Sequence, residues 1–264
     1  MKITNYTFLT VFIWPALPYA QVEAGEVKIA VAANFIDANR EIAPLFEKAT
    51  GHTTRISHGS TGKLFSQIAH GAPFEVFLAA DSQRPVKAET EGLAIPATRF
   101  IYARGKLVLW SLKPDLFTDG EHYLKNGSFE HLSLANPKTA PYGLAAEQVM
   151  RRVGVLETLT PKLVMGESIA QAFQFTATGN AKLGFVALAQ IKDWEGDVGT
   201  LWQIPADYYA PIDQVAVLLK KGKDNPAAIA YLEFLKSEVA QEVIERYGYG
   251  VVKGSDDLLI QEPM

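Results

Sequence analysis

The residues in this chain whose types and spacing point most directly to chemistry lie in 56-ISHGSTGKLFSQI-68. Gly59, Ser60, Thr61, Gly62 and Lys63 form an open, polar loop, and an apolar-periodic run follows at once. Such a loop before a helix is built to hold an anion, and a nucleotide phosphate is the first candidate. A phosphate-binding P-loop requires G-x-x-x-x-G-K-[ST], with the first glycine shaping the turn and the last hydroxyl holding magnesium. Here Ser57 stands where that first glycine belongs, and Leu64 follows Lys63. The nucleotide reading fails at both ends of the motif.

Hydrolytic chemistry fares no better. G-x-S-x-G is absent, and Ser57-x-x-Ser60 lacks the lysine of an S-x-x-K acylase. Glu75 and Asp81 flank a strand-like run, where a strand-edge acid and a turn acid account for them. Five scattered histidines without H-x-H or H-x-x-x-H spacing argue against a histidine metal site, and zero cysteines exclude thiolate ligands, thiolate nucleophiles and disulfides. Neither a cofactor nor a metal bound directly by protein is expected.

What remains is a helix start. First-turn N–H groups have no acceptor within their own helix, and the helix dipole favours negative charge beside them. Ser60 sits at such a start, flanked by Gly59 and Gly62. The arrangement recurs: Asn34 follows an apolar strand, with Ala33 beside it; Tyr142-Gly143 follow the Ala140-Pro141 turn; Ser168-Ile169 follow Gly166-Glu167. Two sheet edges carrying these starts, facing across a cleft, would enclose a small anion with neutral donors. A fully deprotonated oxoanion accepts hydrogen bonds only, whereas hydrogen phosphate also needs an acceptor in the protein. The acids near these loops, Asp37 and Glu167, are equally explained as partners of helix N-termini. This chemistry leans towards sulfate, molybdate or tungstate. Lys63 is expected to point away from the anion.

The elements that must position these residues follow from periodicity. Glu26–Ala33, Thr54–Ser57, Phe74–Ala79, Leu107–Ser111, Ser133–Ala135, Lys162–Val164, Leu183–Ala187 and Pro211–Leu219 read as strands. Helical spacing falls between them, over the run after Asn34 up to Gly51, from Ser60 towards Gly71, over Gly143–Arg152 and over Ile169–Thr178. Ala227, Tyr231, Phe234 and Leu235 share the face of a late helix. Asn34 is expected to cap the first helix, and Pro44 to kink or restart it. Strands alternating with helices predict parallel sheets.

The N-terminus carries a different message. Lys2, the apolar run Phe8–Leu17 and a small-residue ending predict a signal peptide over residues 1–24, cleaved after Ala24 or Ala20. The run is well short of the ~20 residues that span a bilayer. Hydrophobic residues make up 48% of the chain, ample for a packed core. The net charge of −4, with no basic stripe, argues against a nucleic-acid partner.

Taken in order, Ile29–Asn34, Gly59–Leu64, Glu75–Asp81, Asn136–Gly143, Gly166–Ile169 and Pro211–Gln214 resemble the periplasmic molybdate-binding proteins of ABC importers (ModA-like). The resemblance spans the whole mature chain. It implies an α/β, two-lobed, type II periplasmic-binding-protein fold, each lobe a mostly parallel sheet flanked by helices. It implies oxoanion contacts at Asn34 with Ala33 beside it, Ser60, Tyr142 and Ile169. Asn34 and Ser60 would each give side-chain and backbone donors; Ile169 would give its amide, and Tyr142 its amide or its hydroxyl. Some members carry a tyrosine where Ala187 stands here, so that donor is missing or replaced. Expected boundaries are 26–104 plus 213–264 for one lobe and 105–212 for the other. The chain is then an exported monomeric receptor, not an enzyme, passing molybdate, and tungstate with it, to a membrane permease. A receptor for sulfate or thiosulfate, and more distantly a secreted hydrolase using Ser60, are the alternatives.

Overall fold

The computed structural model describes residues 24–250. The expected signal peptide, and the 251–264 end of the first expected lobe, lie outside the described residues. Strand β1 (Glu26–Ala32) runs through a 3-10 turn at Ala33–Phe35 into α1 (Ile36–Thr50); β2 (Thr53–Gly59) leads to α2 (Thr61–Ala69), and β3 (Val76–Ala79) to α3 (Gln83–Thr90). Then β4 (Phe100–Gly105) and β5 (Leu107–Ser111) follow each other with Lys106 alone between them. The middle of the chain contributes α4 (Gly120–Asn126), β6 (Leu132–Ala135), α5 (Pro141–Val153), α6 (Leu156–Leu159), β7 (Leu163–Gly166), α7 (Ile169–Ala177), β8 (Leu183–Ala187), α8 (Leu188–Lys192) and β9 (Thr200–Gln203). The last third adds β10 (Ile212–Leu218), α9 (Pro226–Leu235) and α10 (Glu238–Arg246).

The strands form two five-stranded sheets, ordered β2-β1-β3-β10-β4 and β7-β6-β8-β5-β9. Within the first, β2, β1 and β3 are parallel, with Ile29 opposite both Ile56 and Val76; β10 is antiparallel to β3 and β4. The second repeats the plan: β7, β6 and β8 are parallel, and β5 is antiparallel to β8 and β9. The antiparallel pairs β4–β10 and β5–β9 adjoin the two passages between sheets. The fold is therefore the two-lobed α/β arrangement that the alternation and the resemblance implied.

Each sheet is buried by its helices. On one face of the first, Phe46 of α1 meets Tyr231 and Phe234 of α9 edge-on, over a core of Val27, Ile29, Val31 and Leu78. On the other, Leu64 and Ile68 of α2 pack against Phe77 and Ala79. Each fully buried side chain of this size adds ~1.5–3 kcal/mol of apolar burial. The second sheet buries Tyr142, Val149 and Met150 of α5 against Leu132, Leu134 and Phe185. Ala32, Ala33 and Ala80 of the first lobe join that same apolar cluster, so contact continues across the cleft.

Two local expectations need correction. Asn34 lies within the 3-10 turn rather than capping α1, which begins after Phe35 with no side-chain cap. Its carboxamide is drawn to partners of the first lobe instead. Pro44 does not restart α1, which runs on to Gly51 in the left-handed conformation at φ 75°. Pro44 is exposed, so the Arg40 carbonyl that it leaves without an amide partner can be hydrated. Strands β4 and β9 were not anticipated: Phe-Ile-Tyr-Ala-Arg-Gly ends in turn-like residues, and Thr-Leu-Trp-Gln is short.

Candidate functional site

In both lobes the parallel strands point their C-terminal ends at the seam, as open α/β sheets do where ligands bind. The loops leaving β1, β2 and β3 supply Ala33, Asn34, Ser60, Thr61 and Ala80, and those leaving β6 and β7 supply Ala140, Pro141, Tyr142 and Ile169. These nine residues line one small cavity of about 10 Å³, near the minimum for a single water. All five residues singled out in the sequence, Ala33, Asn34, Ser60, Tyr142 and Ile169, lie on it, and all are buried. Thr61, Ala80, Ala140 and Pro141, which lie within the quoted motifs but were not named as contacts, also line it. A larger groove of about 550 Å³, lined by Ser111, Phe129, His131 and Lys182 among others, lies where the chain enters β6 and β8. That is the wrong end of the parallel strands for a site of this architecture.

Among the described residues lining the small cavity, none is charged and none is histidine. Positive potential comes from backbone. The N-termini of α2, α5 and α7 converge there, each worth about half a positive charge, so together about +1.5. The starts of α2 and α5 have no side-chain cap, which leaves first-turn N–H groups for a ligand. Ser60 occupies the N-cap position of α2 with extended backbone (φ −65°, ψ 145°), yet its Oγ does not cap the helix. That hydroxyl is buried, on a residue 4% exposed, and has no hydrogen-bond partner among the described residues. Thr61 is engaged elsewhere, its Oγ1 accepting the Ala80 amide at 3.1 Å.

Asn34 is held from the first lobe. Its Nδ2 donates to Gln214 Oε1 at 2.7 Å and to Tyr249 OH at 3.1 Å, and the Tyr249 hydroxyl donates back to the Asn34 carbonyl at 2.6 Å. Both amide hydrogens are engaged, which leaves the backbone N–H as the donor it can present. The side-chain donor expected here is turned to Gln214 and Tyr249 in this structure. Tyr142 stands at the second position of α5, after Pro141, so its amide is one of the uncapped ones. Its hydroxyl runs elsewhere: a Cβ built on Gly105 would lie 2.2 Å from it. Burial pushes that hydroxyl well above 10, with Tyr249, Tyr209 and Tyr102 adding to the shift and Asn34 opposing it.

Ile169 opens α7, and Ser168 caps it by accepting the Gln171 amide. Ala187 is fully buried and lies off the cavity; its N–H donates to Gln190 Oε1 at 3.0 Å, and Gln190 Nε2 donates to the Ile169 carbonyl at 3.3 Å. Gln190 thus braces the α7 start from the position where a donor was judged missing. Helical spacing beyond Ala187 was the only signal for it.

Polar contacts close the seam around the cavity. The Gly62 amide donates to the Thr139 carbonyl at 2.9 Å, Arg84 Nη2 donates to the Lys138 carbonyl at 3.3 Å, and Lys63 pairs with Glu167. Lys63 therefore faces the other lobe at the surface. On a second side, Asp193 meets Arg40 at 3.8 Å and accepts the Tyr247 hydroxyl at 3.1 Å. Burial, then the carboxylate of Asp193, raise Asp37 above its ordinary 3.8, while Arg40 pulls it back. Glu75 and Asp81 prove structural: Glu75 accepts the Lys28 amide at 2.8 Å, and Asp81 pairs with Arg84. Tyr208 and Tyr209 brace the return passage, through Glu121 at 2.6 Å and the Leu107 amide at 3.1 Å.

Two α/β lobes thus meet on a small pocket without charged residues, lined by helix starts. The chain belongs to the bacterial extracellular solute-binding protein family, whose model matches residues 27–250. It is 54% identical over 244 residues to the molybdate-binding protein ModA of Azotobacter vinelandii, covering 92% of this chain and 97% of that one. The ModA of Rhodobacter capsulatus is 53% identical over 243 residues, covering 92% and 94%. In three dimensions the chain resembles the Azotobacter vinelandii periplasmic molybdate-binding protein with a TM-score of 0.83 and 41% identity, over 86% of this chain and all of that one.

Proposed function

We propose that this chain captures molybdate, and tungstate equally well in kind, between its lobes outside the cytoplasm and delivers it to the permease of an ABC importer. The observation that carries the reading is the buried, unpartnered Ser60 hydroxyl in a wall of uncapped helix starts. An acceptor-only dianion satisfies such a wall. Hydrogen phosphate would need a carboxylate, and the nearby acids are turned to Lys63, Arg84 and Arg40. Identity above 50% to two molybdate-binding proteins supports the choice of anion.

In this reading Asn34 and Ala33, Tyr142 and Ile169 contribute backbone N–H groups, and Ser60 its hydroxyl as well. Residues 26–104 with 213–264, and 105–212, act as two bodies that part to admit the anion and close to strip its water. The protein works as a monomer in the periplasm after export by its N-terminal segment. A serine hydrolase is disfavoured because Ser60 has no base beside it in the cavity.

Thermal melts with molybdate, tungstate, sulfate and phosphate test the proposal. Ligand at a thousand times its dissociation constant stabilises the fold by ~4 kcal/mol. Molybdate and tungstate should raise Tm strongly, with sulfate and phosphate far behind. Equal shifts with sulfate and molybdate would sink selection by size.

A further inference from the structure

Tyr142 has two faces. Its backbone belongs to the cavity, while its hydroxyl is lodged at the passage between the lobes. A Cβ on Gly105, the last residue of β4, would lie 2.2 Å from the Tyr142 OH and 3.1 Å from Gln214 Nε2. Neither Gly105 nor Gln214 lines the cavity. The phenol therefore reaches past the anion site to the strands that carry the chain across the seam.

There it meets a polar cluster already bonded within itself. Asn34 has both amide hydrogens engaged with Gln214 and Tyr249, and the Tyr249 hydroxyl is given to the Asn34 carbonyl. Gln214 donates to the Ile212 carbonyl at 3.0 Å. The Tyr142 hydroxyl is buried and has no hydrogen-bond partner among the described residues. A hydroxyl moved from water to such a place is a penalty, and one of ordinary size changes an equilibrium by about 5- to 150-fold.

The location decides which equilibrium. Tyr142 rides on α5 of the second lobe; Asn34, Gln214 and Tyr249 belong to the first-lobe side of the seam. Parting the lobes opens that seam to water, and the hydroxyl regains a partner. Closing them strips it again. We propose that the Tyr142 hydroxyl, as distinct from the amide that the same residue turns to the anion, opposes lobe closure and so sets how readily the ligand is released. A receptor that must surrender its cargo to a permease gains from such an element: the donors supply capture, and the orphaned phenol keeps the closed form from becoming a trap.

This inference rests on the anion-capture reading above. The test is Tyr142→Phe, titrated with molybdate by calorimetry and followed by stopped-flow tryptophan fluorescence. Wild type must bind molybdate; if it does not, the functional reading fails before this one is reached. Given binding, the variant should bind at least fivefold tighter, almost entirely through slower dissociation, and its ligand-free form should have a smaller radius of gyration in X-ray scattering. Unchanged affinity would show that the hydroxyl carries no penalty, and weaker binding that it touches the anion; either overturns the proposal. Gly105→Ala gives a second check. Its Cβ needs the space of the Tyr142 hydroxyl in the closed form, so affinity should fall while the ligand-free melt is unchanged. In the Tyr142→Phe background that loss should shrink without vanishing, because the ring Cζ still lies 2.9 Å from the new Cβ; a loss undiminished there would also overturn the proposal.

Discussion

The Gly62 amide donates to the Thr139 carbonyl at 2.9 Å, joining the first turn of α2 in one lobe to the turn before α5 in the other. A Cβ on Gly62 would stand 3.0 Å from both the Thr139 Cα and its carbonyl oxygen. Gly62 is there for close approach, since its backbone is ordinary helix.

Gly62→Ala should therefore act with opposite signs on stability and binding. Alanine within a helix adds ~0.5–1 kcal/mol over glycine, so the ligand-free protein should melt higher. The closed form must yield at Thr139, so molybdate affinity should fall by about tenfold, or ~1.4 kcal/mol. Scanning calorimetry and titration calorimetry on the same sample check both signs; affinity equal to wild type would show that the lobes do not close this tightly on ligand.

Ser60→Ala removes a neutral donor aimed at the cavity and leaves no helix cap unmade, because Ser60 does not cap α2. Molybdate binding should weaken by ~1–3 kcal/mol with the ligand-free melt unchanged. A loss of stability without loss of affinity would reduce Ser60 to a structural serine.

The pair Lys63–Glu167 spans the seam at the surface, its side chains 46% and 74% exposed. Exposed pairs contribute ~0.2–1 kcal/mol and are screened by salt. Lys63→Ala should speed molybdate release by no more than about fivefold at low salt, with the difference vanishing by ~1 M. A loss of a hundredfold would return Lys63 to the anion itself.

Asp37 gives the chain a pH signature. Its carboxyl is raised above 3.8 by burial first and Asp193 second. Between 3.8 and the raised value the folded chain holds a proton that the unfolded chain has lost. Stability from this group therefore grows as pH falls through that window and is lost as pH rises through it. Asp37→Asn should raise Tm at neutral pH and close the gap with wild type as the pH falls into the acid range. A gap independent of pH would assign the effect to packing.

The sequence carried the strands and helix starts well because apolar runs and glycine punctuation are local. Ser60 and Ile169 could be found from the turn chemistry before them. Asn34 shows where locality ends: its residue type fits a cap, but its amide is held by Gln214 and Tyr249, 180 and 215 residues away. Which atom of Tyr142 faces the cavity depends on Gly105, and what stands in for a side chain at Ala187 depends on how α8 folds back. Such facts are set by packing between distant segments, and no window along the chain contains them.

The passage from β4 to β5 contains Lys106 alone, whereas the return from β9 to β10 has residues 204–211 to spare. Successive Cα atoms stand 3.8 Å apart, so Gly105 and Leu107 stay within about 7.6 Å of each other in every state. One connection is a single residue, and the other is longer and braced through Tyr208 and Tyr209. At that passage a swing of the lobes about Lys106 is compatible with the chain, and a slide is not. Any opening of the lobes about that residue must widen with distance from it.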